Sequence, residues 1–129
     1  MKICNSDGVA TKSFGFKEDI VIRLNYEVKR RIENLNFGFT IRDVNKSLIF
    51  MSQKRDDANL LYNEIGKHSF ELKIKSPALL SGTYLLSGEL WDNDATFFTG
   101  YLNKREITIR HENYMGSGIL YFDYEFDNE

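Results

Sequence analysis

Asp19-Ile20-Val21-Ile22-Arg23-Leu24-Asn25-Tyr26-Glu27-Val28-Lys29 is the stretch that decides the fold. Its apolar set, Ile20, Ile22, Leu24, Tyr26 and Val28, recurs at every second residue, with Arg23, Asn25 and Glu27 between. A helix would need returns at three and four residues, so the spacing predicts a strand with one buried face. Leu35 to Arg42 repeats the pattern with Leu35, Phe37, Phe39 and Ile41 inward. Phe70, Leu72 and Ile74 follow it, as do Tyr84, Leu86 and Leu90 with Gly88 in the same phase. Ile107 and Ile109 make a shorter run, and Leu120, Phe122, Tyr124 and Phe126 make the last.

The punctuation between these runs is that of an all-β chain. Asp43-Val44-Asn45-Lys46-Ser47 reads as a hairpin connection, and Ser81-Gly82 and Asp92-Asn93-Asp94 as further turns. Residues 55 to 65 lack alternation and suit either one helical turn or a long loop. The runs amount to about eight strands, spaced as in an antiparallel two-sheet sandwich. The core expected from the phase is Ile22, Leu24, Phe37, Phe39, Ile41, Leu72, Ile74, Tyr84, Leu86, Leu90 and Ile109.

Composition bounds the function. A chain of 129 residues is one domain's worth, and folding should bury roughly 68% of its unfolded surface. With 42% hydrophobic and 28% charged residues, wholesale disorder is excluded. Aromatics make 14% of the chain, with one proline, a balance that suits pleated strands. Seventeen basic against nineteen acidic residues leave a net charge of −2, without the basic surplus a nucleic-acid binder uses on phosphates. One cysteine, Cys4, rules out an internal disulfide and favours a reducing compartment. No apolar run approaches 18 residues, and Met1 to Asn5 has no signal-peptide character, so a cytoplasmic single domain over residues 1–129 is expected.

Catalytic patterns are missing. Gly66-Lys67-His68 has neither the upstream glycine nor the following hydroxyl of a phosphate loop. Gly116-Ser117-Gly118 leads into a strand and reads as a glycine turn. Two histidines, His68 and His111, and one cysteine are too few soft ligands for zinc, so no metal and no cofactor are expected. Cys4 on a first strand reads as packing, and Asp92, Asn93 and Asp94 read as a turn rather than a calcium loop. Glu89 with Asp92 or Asp94 carries little weight as a glycosidase pair, and Lys29-Arg30-Arg31 reads as a solvated strand end.

Aromatic placement says more. If Tyr84, Leu86 and Leu90 point inward, Glu89 and Trp91 point outward, and the same logic turns Asn36, Thr40 and Arg42 outward on their strand. An aromatic ring among amide, carboxylate and guanidinium groups suits a sugar. The ring covers the apolar C–H face while the polar groups take the hydroxyls. The expected platform is Trp91 with Glu89, Arg42, Thr40 and Asn36, and Tyr62 in the 53–67 loop is the next ring.

The order of features resembles the C-terminal domain of Wzt-type ATPase subunits, which serve ABC transporters exporting O-antigen polysaccharide. The resemblance rests on Phe16-Lys17-Glu18-Asp19-Ile20-Val21-Ile22-Arg23-Leu24-Asn25-Tyr26, then Asn34-Leu35-Asn36-Phe37-Gly38-Phe39-Thr40-Ile41-Arg42-Asp43 with Leu48-Ile49-Phe50. It continues through Leu79-Leu80-Ser81-Gly82-Thr83-Tyr84 to Glu89-Leu90-Trp91-Asp92 and closes on Gly118 to Phe126. Ser81 stands where the pattern has proline, and Phe126 where it has tryptophan. The resemblance implies an immunoglobulin-like sandwich that binds the exported glycan without catalysis, with no nucleic-acid partner. It implies a homodimer that exchanges the last strand, residues 115–129, about a hinge at Tyr114 to Gly118. It further implies an ATPase portion on a preceding segment, a membrane transporter subunit as partner, and a location at the inner face of the cytoplasmic membrane. The alternative is a sandwich for protein interaction or dimerisation that binds no glycan.

Overall fold

Ile20–Val28 is a nine-residue strand in the structure, a computed structural model that describes residues 1–52, 61–92, 97–99, 104–110, 118–123 and 125. Nine strands and no helix form among these residues. In chain order they are β1 (Lys2–Cys4), β2 (Ser13–Gly15), β3 (Ile20–Val28), β4 (Asn36–Asp43), β5 (Leu48–Met51), β6 (Gly66–Ile74), β7 (Gly82–Trp91), β8 (Phe97–Thr99) and β9 (Arg105–Arg110). The smaller sheet runs β1-β3-β6, and the larger runs β2-β9-β7-β4-β5 with β8 beside the end of β7.

Alternation explains how the sheets meet. β3 and β6 pair in full register from Ile20↔Ile74 to Val28↔Gly66. Ile20, Ile22 and Leu24 are buried, and Phe70, Leu72 and Ile74 pack half-buried beside them. On the other face Arg23 Nε donates to Glu71 Oε2 at 2.8 Å across the ladder. That hydrogen bond raises the guanidinium pKa, with the carboxylate's charge next. The larger sheet supplies the opposing layer through Phe14, Phe37, Ile41, Tyr84, Leu86, Leu90, Ile107 and Ile109. Tyr84 is buried and donates its hydroxyl to the Leu80 carbonyl at 2.6 Å. Burial pushes its phenol pKa up, and Asp43 adds to the shift. Every residue expected in the core lies in or against it, Phe39, Leu72 and Ile74 only partly buried. Cys4 is fully buried beside Val21, in keeping with packing.

The hairpin from β4 to β5 forms where expected. Asp43 Oδ1 accepts the amides of Asn45 and Ser47, each at 2.9 Å, so one side chain organises the turn. Residues 61 to 65 are not helical, and 53 to 60 lie outside the described residues, as do 93 and 94 of the acidic turn.

Two expectations change. The larger sheet is mixed, because β2 runs parallel to β9. The N-terminal stretch divides between the sheets, β1 joining β3 and β2 crossing to the far edge of the other. Parallel pairing is the weaker ladder per residue, and it is confined here to a three-residue edge.

The C-terminal run is the second. Leu120 and Phe122 were expected inward but are 47% and 75% exposed, while Tyr121 turns inward with its ring 5.2 Å from Phe16. The expected strand does not form over residues 118–123: Leu120 makes an isolated bridge to Leu79, and Tyr121 rather than its two neighbours faces the body. Backbone contact with Ala78 to Leu80 sets it: Tyr121 N donates to the Ala78 carbonyl at 2.9 Å and Leu80 N to the Ile119 carbonyl at 2.8 Å. Of the expected hinge, Gly118 is described, at φ 120°, a region that favours glycine. Residues 114–117, Tyr124 and Phe126 lie outside the described residues.

Gly88 shows how tightly the layers close. A methyl group there would stand 2.6 Å from the Phe37 ring and 2.9 Å from Met1 Sδ. Gly88→Ala should cost about 1–3 kcal/mol by overpacking, and Phe37→Ala about 3–5 kcal/mol by cavity formation. In the double variant the new methyl enters the space the ring vacates, so thermal denaturation should show a total loss below the sum of the two. Strict additivity would mean that Phe37 and Gly88 do not share this contact.

Candidate binding face on the larger sheet

β4 and β7 run antiparallel in unbroken register, from Asn36↔Trp91 through Gly38↔Glu89 and Thr40↔Ser87 to Arg42↔Leu85 and Asp43↔Tyr84. Alternation therefore gathers Asn36, Gly38, Thr40 and Arg42 with Trp91, Glu89, Ser87 and Leu85 on the face away from the core. All five residues expected to form the platform share this face. They do not share an exposure. Trp91, Glu89 and Arg42 are part-exposed, but Asn36 is 0% and Thr40 3% exposed, so these two are not open to solvent as expected. Alternation sorts side chains between two faces without saying which of them water reaches.

The middle of the face is a polar floor. Thr40 Oγ1 and Ser87 Oγ share a 2.5 Å hydrogen bond across the ladder, both residues buried. Asn36 Nδ2 donates to the Asn34 carbonyl at 2.6 Å, while its buried Oδ1 has no partner among the described residues. Trp91 lies diagonally across β4. A methyl group on Gly38 would collide with the indole at Cη2 and Cζ3, so the bare backbone is the seat on which the ring rests. Ser52 Oγ closes the other side of that seat and accepts the Phe39 amide at 2.8 Å. Gly38 and Ser87 were missing from the expected set. The signal for Gly38 was available, since a glycine inside an aromatic strand marks a close approach.

Tyr62 lies elsewhere. It is 76% exposed, and its ring stacks on His68 of β6 with centroids 6.2 Å apart. Tyr26 donates its hydroxyl to the Tyr62 carbonyl at 2.7 Å, and burial pushes the Tyr26 phenol pKa up, with Tyr62 adding to it. His68 Nε2 stands 2.7 Å from the Glu64 carbonyl, which can only accept, so that nitrogen carries the proton. Tyr62 and Trp91 thus belong to different sheets' surroundings and form no single platform. Among the described residues no group of three or more His, Cys, Asp or Glu side chains could hold a metal ion.

The fold is an immunoglobulin-like two-sheet sandwich that presents a ring-bearing, polar-floored face on its larger sheet. The sequence matches the Wzt C-terminal domain family over residues 1–113, and the chain belongs to that family. A solved structure, the crystal structure of the C-terminal domain of Wzt, is similar with a TM-score of 0.80 and 14% identity, covering 99% of this chain and 80% of that one. At that identity the likeness establishes the fold. No curated protein sequence matches.

Trp91 is the single tryptophan, so its fluorescence reports on the seat. Gly38→Ala should lift the indole from β4, shift its emission to the red and lower the melting temperature. Unchanged emission with unchanged stability would mean that the ring does not rest on Gly38.

Proposed function

We propose that this domain binds an O-antigen-type polysaccharide without catalysing any reaction on it, as the recognition part of an ABC export system. The observation that carries this reading is the part-exposed Trp91 ring, held on Gly38 beside Glu89. A pyranose stacked there would bury its C–H face on the indole. The Glu89 carboxylate accepts hydrogen bonds from that sugar's hydroxyls, and the Arg42 guanidinium, at the other end of the face, donates to those of a further sugar of the polymer. Thr40, Ser87 and Asn36 act from beneath as the floor that holds the ring and the guanidinium in position. Each hydroxyl bond replaces one to water and nets about 0.5–1.5 kcal/mol, so one site binds weakly and repeats on a polymer add avidity. The family is a C-terminal domain outside the ATPase portion of its proteins, which fits a chain with no catalytic role. By the same family context its partners are an ATPase domain and a membrane transporter subunit, at the inner face of the cytoplasmic membrane. No helix among the described residues is long and apolar enough to cross a membrane itself.

Trp91→Ala should abolish calorimetric binding of the source organism's polysaccharide while the β-sheet circular dichroism is retained, and Trp91→Phe should keep part of the affinity. Full binding by Trp91→Ala would move the site to another ring, with Tyr62 next.

We further propose a homodimer in which the C-terminal segment exchanges between subunits. Leu120 and Phe122 are apolar and exposed in the single chain, and a partner's sheet would cover them. Light scattering should give the mass of two chains, and Leu120→Asp with Phe122→Asp should give a folded monomer. A monomeric parent chain, or a dimer indifferent to both substitutions, would overturn the exchange.

A further inference from the structure

On the side where β1 edges the smaller sheet and β2 the larger, the seam opens into a cavity of about 500 Å³. Its lining brings together Lys2 of β1, Lys12 just before β2, and Lys104 and Arg105 at the entry to β9. Four cations thus meet in a chain whose net charge is −2. Met1 and Ile3 supply an apolar wall, Ile3 buried and Met1 packed against the core. The backbone that carries these residues is fixed. The Thr11 amide donates to the Ile3 carbonyl at 3.2 Å and the Thr108 amide to the Lys12 carbonyl at 2.7 Å, so the connector is tied to both sheets. Thr11 Oγ1 also accepts the Ser13 amide at 3.1 Å.

Arg105 is out of keeping with its strand. It shares the phase of Ile107 and Ile109 and pairs with Leu86, all three buried. Arg105 itself is exposed, because the seam is open at that point. Its Nη1 donates to the Lys104 carbonyl at 2.9 Å, which pins the guanidinium near the backbone. Lys2, Lys12 and Arg105 form no ion pair with any described residue. Glu106, the one acid on the lining, lies in the opposite phase of β9 and pairs with none of them. Cations gathered from separate segments repel one another, and a bound anion turns that repulsion into attraction.

We infer that this seam cavity binds a phosphate-bearing ligand, with its phosphate among Lys2, Lys12 and Arg105 and its carbon skeleton against Met1 and Ile3. The donors suit a phosphate. A guanidinium fork takes two of its oxygens at once, and ammonium groups add charge without geometric demand. The volume lies within the range of about 300–1,000 Å³ usual for small-molecule sites. The apolar wall fits the glycerol and first acyl carbons of a phospholipid headgroup, and equally the carbon chain of a soluble phosphate ester. This site goes beyond the saccharide reading and does not rest on it, since β1 and the connector to β2 take no part in the β4–β7 face.

Amide NMR titration tests this with inorganic phosphate, glycerol 3-phosphate and monomeric dihexanoyl phosphatidylglycerol, and with chloride at matched ionic strength as the control. Each phosphate probe should shift the amides of Ile3, Lys12 and Arg105, and chloride should not. Tighter binding of phosphatidylglycerol than of glycerol 3-phosphate identifies a lipid headgroup as the source, and equal or weaker binding a soluble ester. Lys12→Gln and Arg105→Gln, both at exposed positions, should each weaken the tightest probe roughly tenfold without lowering the melting temperature. Arg30→Gln with Arg31→Gln, in the other exposed basic run, should leave binding unchanged. The site is wrong if no phosphate probe shifts the seam amides, if both seam variants bind like the wild-type chain, or if the Arg30 and Arg31 substitutions weaken binding as much. The cations would then serve only to guard the β1 and β2 edges against pairing. Polysaccharide enters none of these measurements, so their failure leaves the saccharide face standing.

Discussion

Two glycines in neighbouring strands, Gly38 and Gly88, let two aromatic rings cross the β4–β7 ladder on opposite faces, and the rest of the molecule is arranged about that crossing. On the inner face Phe37 lies over Gly88, with Phe70 of the other sheet 4.7 Å away between centroids. On the outer face Trp91 lies over Gly38. In each case the ring reaches diagonally to a position where no side chain stands, and β4 and β7 keep a full register of eight pairs beneath both. The inner ring ties the two sheets into one core. The outer ring turns an otherwise flat sheet face into a shaped surface.

The chemistry of that surface follows from what lies beside the ring. A hydroxyl pair and an amide form its floor, so the middle of the face is polar yet dry, and buried polar groups of this kind define side-chain positions sharply when they are satisfied. Asn36 Oδ1 is the exception, an acceptor with no partner among the described residues, next to the indole's strand position. Charge is distributed unevenly around the floor. Glu89 stands toward the Trp91 end, and Arg42, Lys46 and Lys104 gather at the other, so one face offers an apolar plate at one end and a cationic hollow at the other. A near-neutral net charge conceals this, because electrostatic recognition depends on where charges sit rather than on their sum.

The C-terminal segment behaves differently from the strands. Its described residues touch the body through two backbone hydrogen bonds, the Tyr84 hydroxyl at 3.5 Å from the Ile119 carbonyl, the Tyr121–Phe16 ring contact, Lys17 over the Tyr121 ring and the exposed Lys17–Asp123 pair at 3.6 Å. An ion pair so open to water contributes little.

The sequence by itself determined the longer strands β3, β4, β6, β7 and β9, their inward set and the β4–β5 turn, because side-chain alternation and Asx chemistry are local. Phe37, Ile41, Leu86 and Ile109 could be assigned to the core from spacing, as could the common face of Trp91, Glu89, Thr40 and Arg42. Only the tertiary structure decided the rest. That Asn36 and Thr40 are sealed depends on what crosses above them, and that Leu120 faces water depends on its isolated bridge to Leu79. The cavity shared by Arg42, Lys46 and Lys104 joins residues up to 62 positions apart, which no periodicity connects. Alternation is a property of one strand, whereas burial, register at an edge and the meeting of distant charges are properties of how strands are stacked.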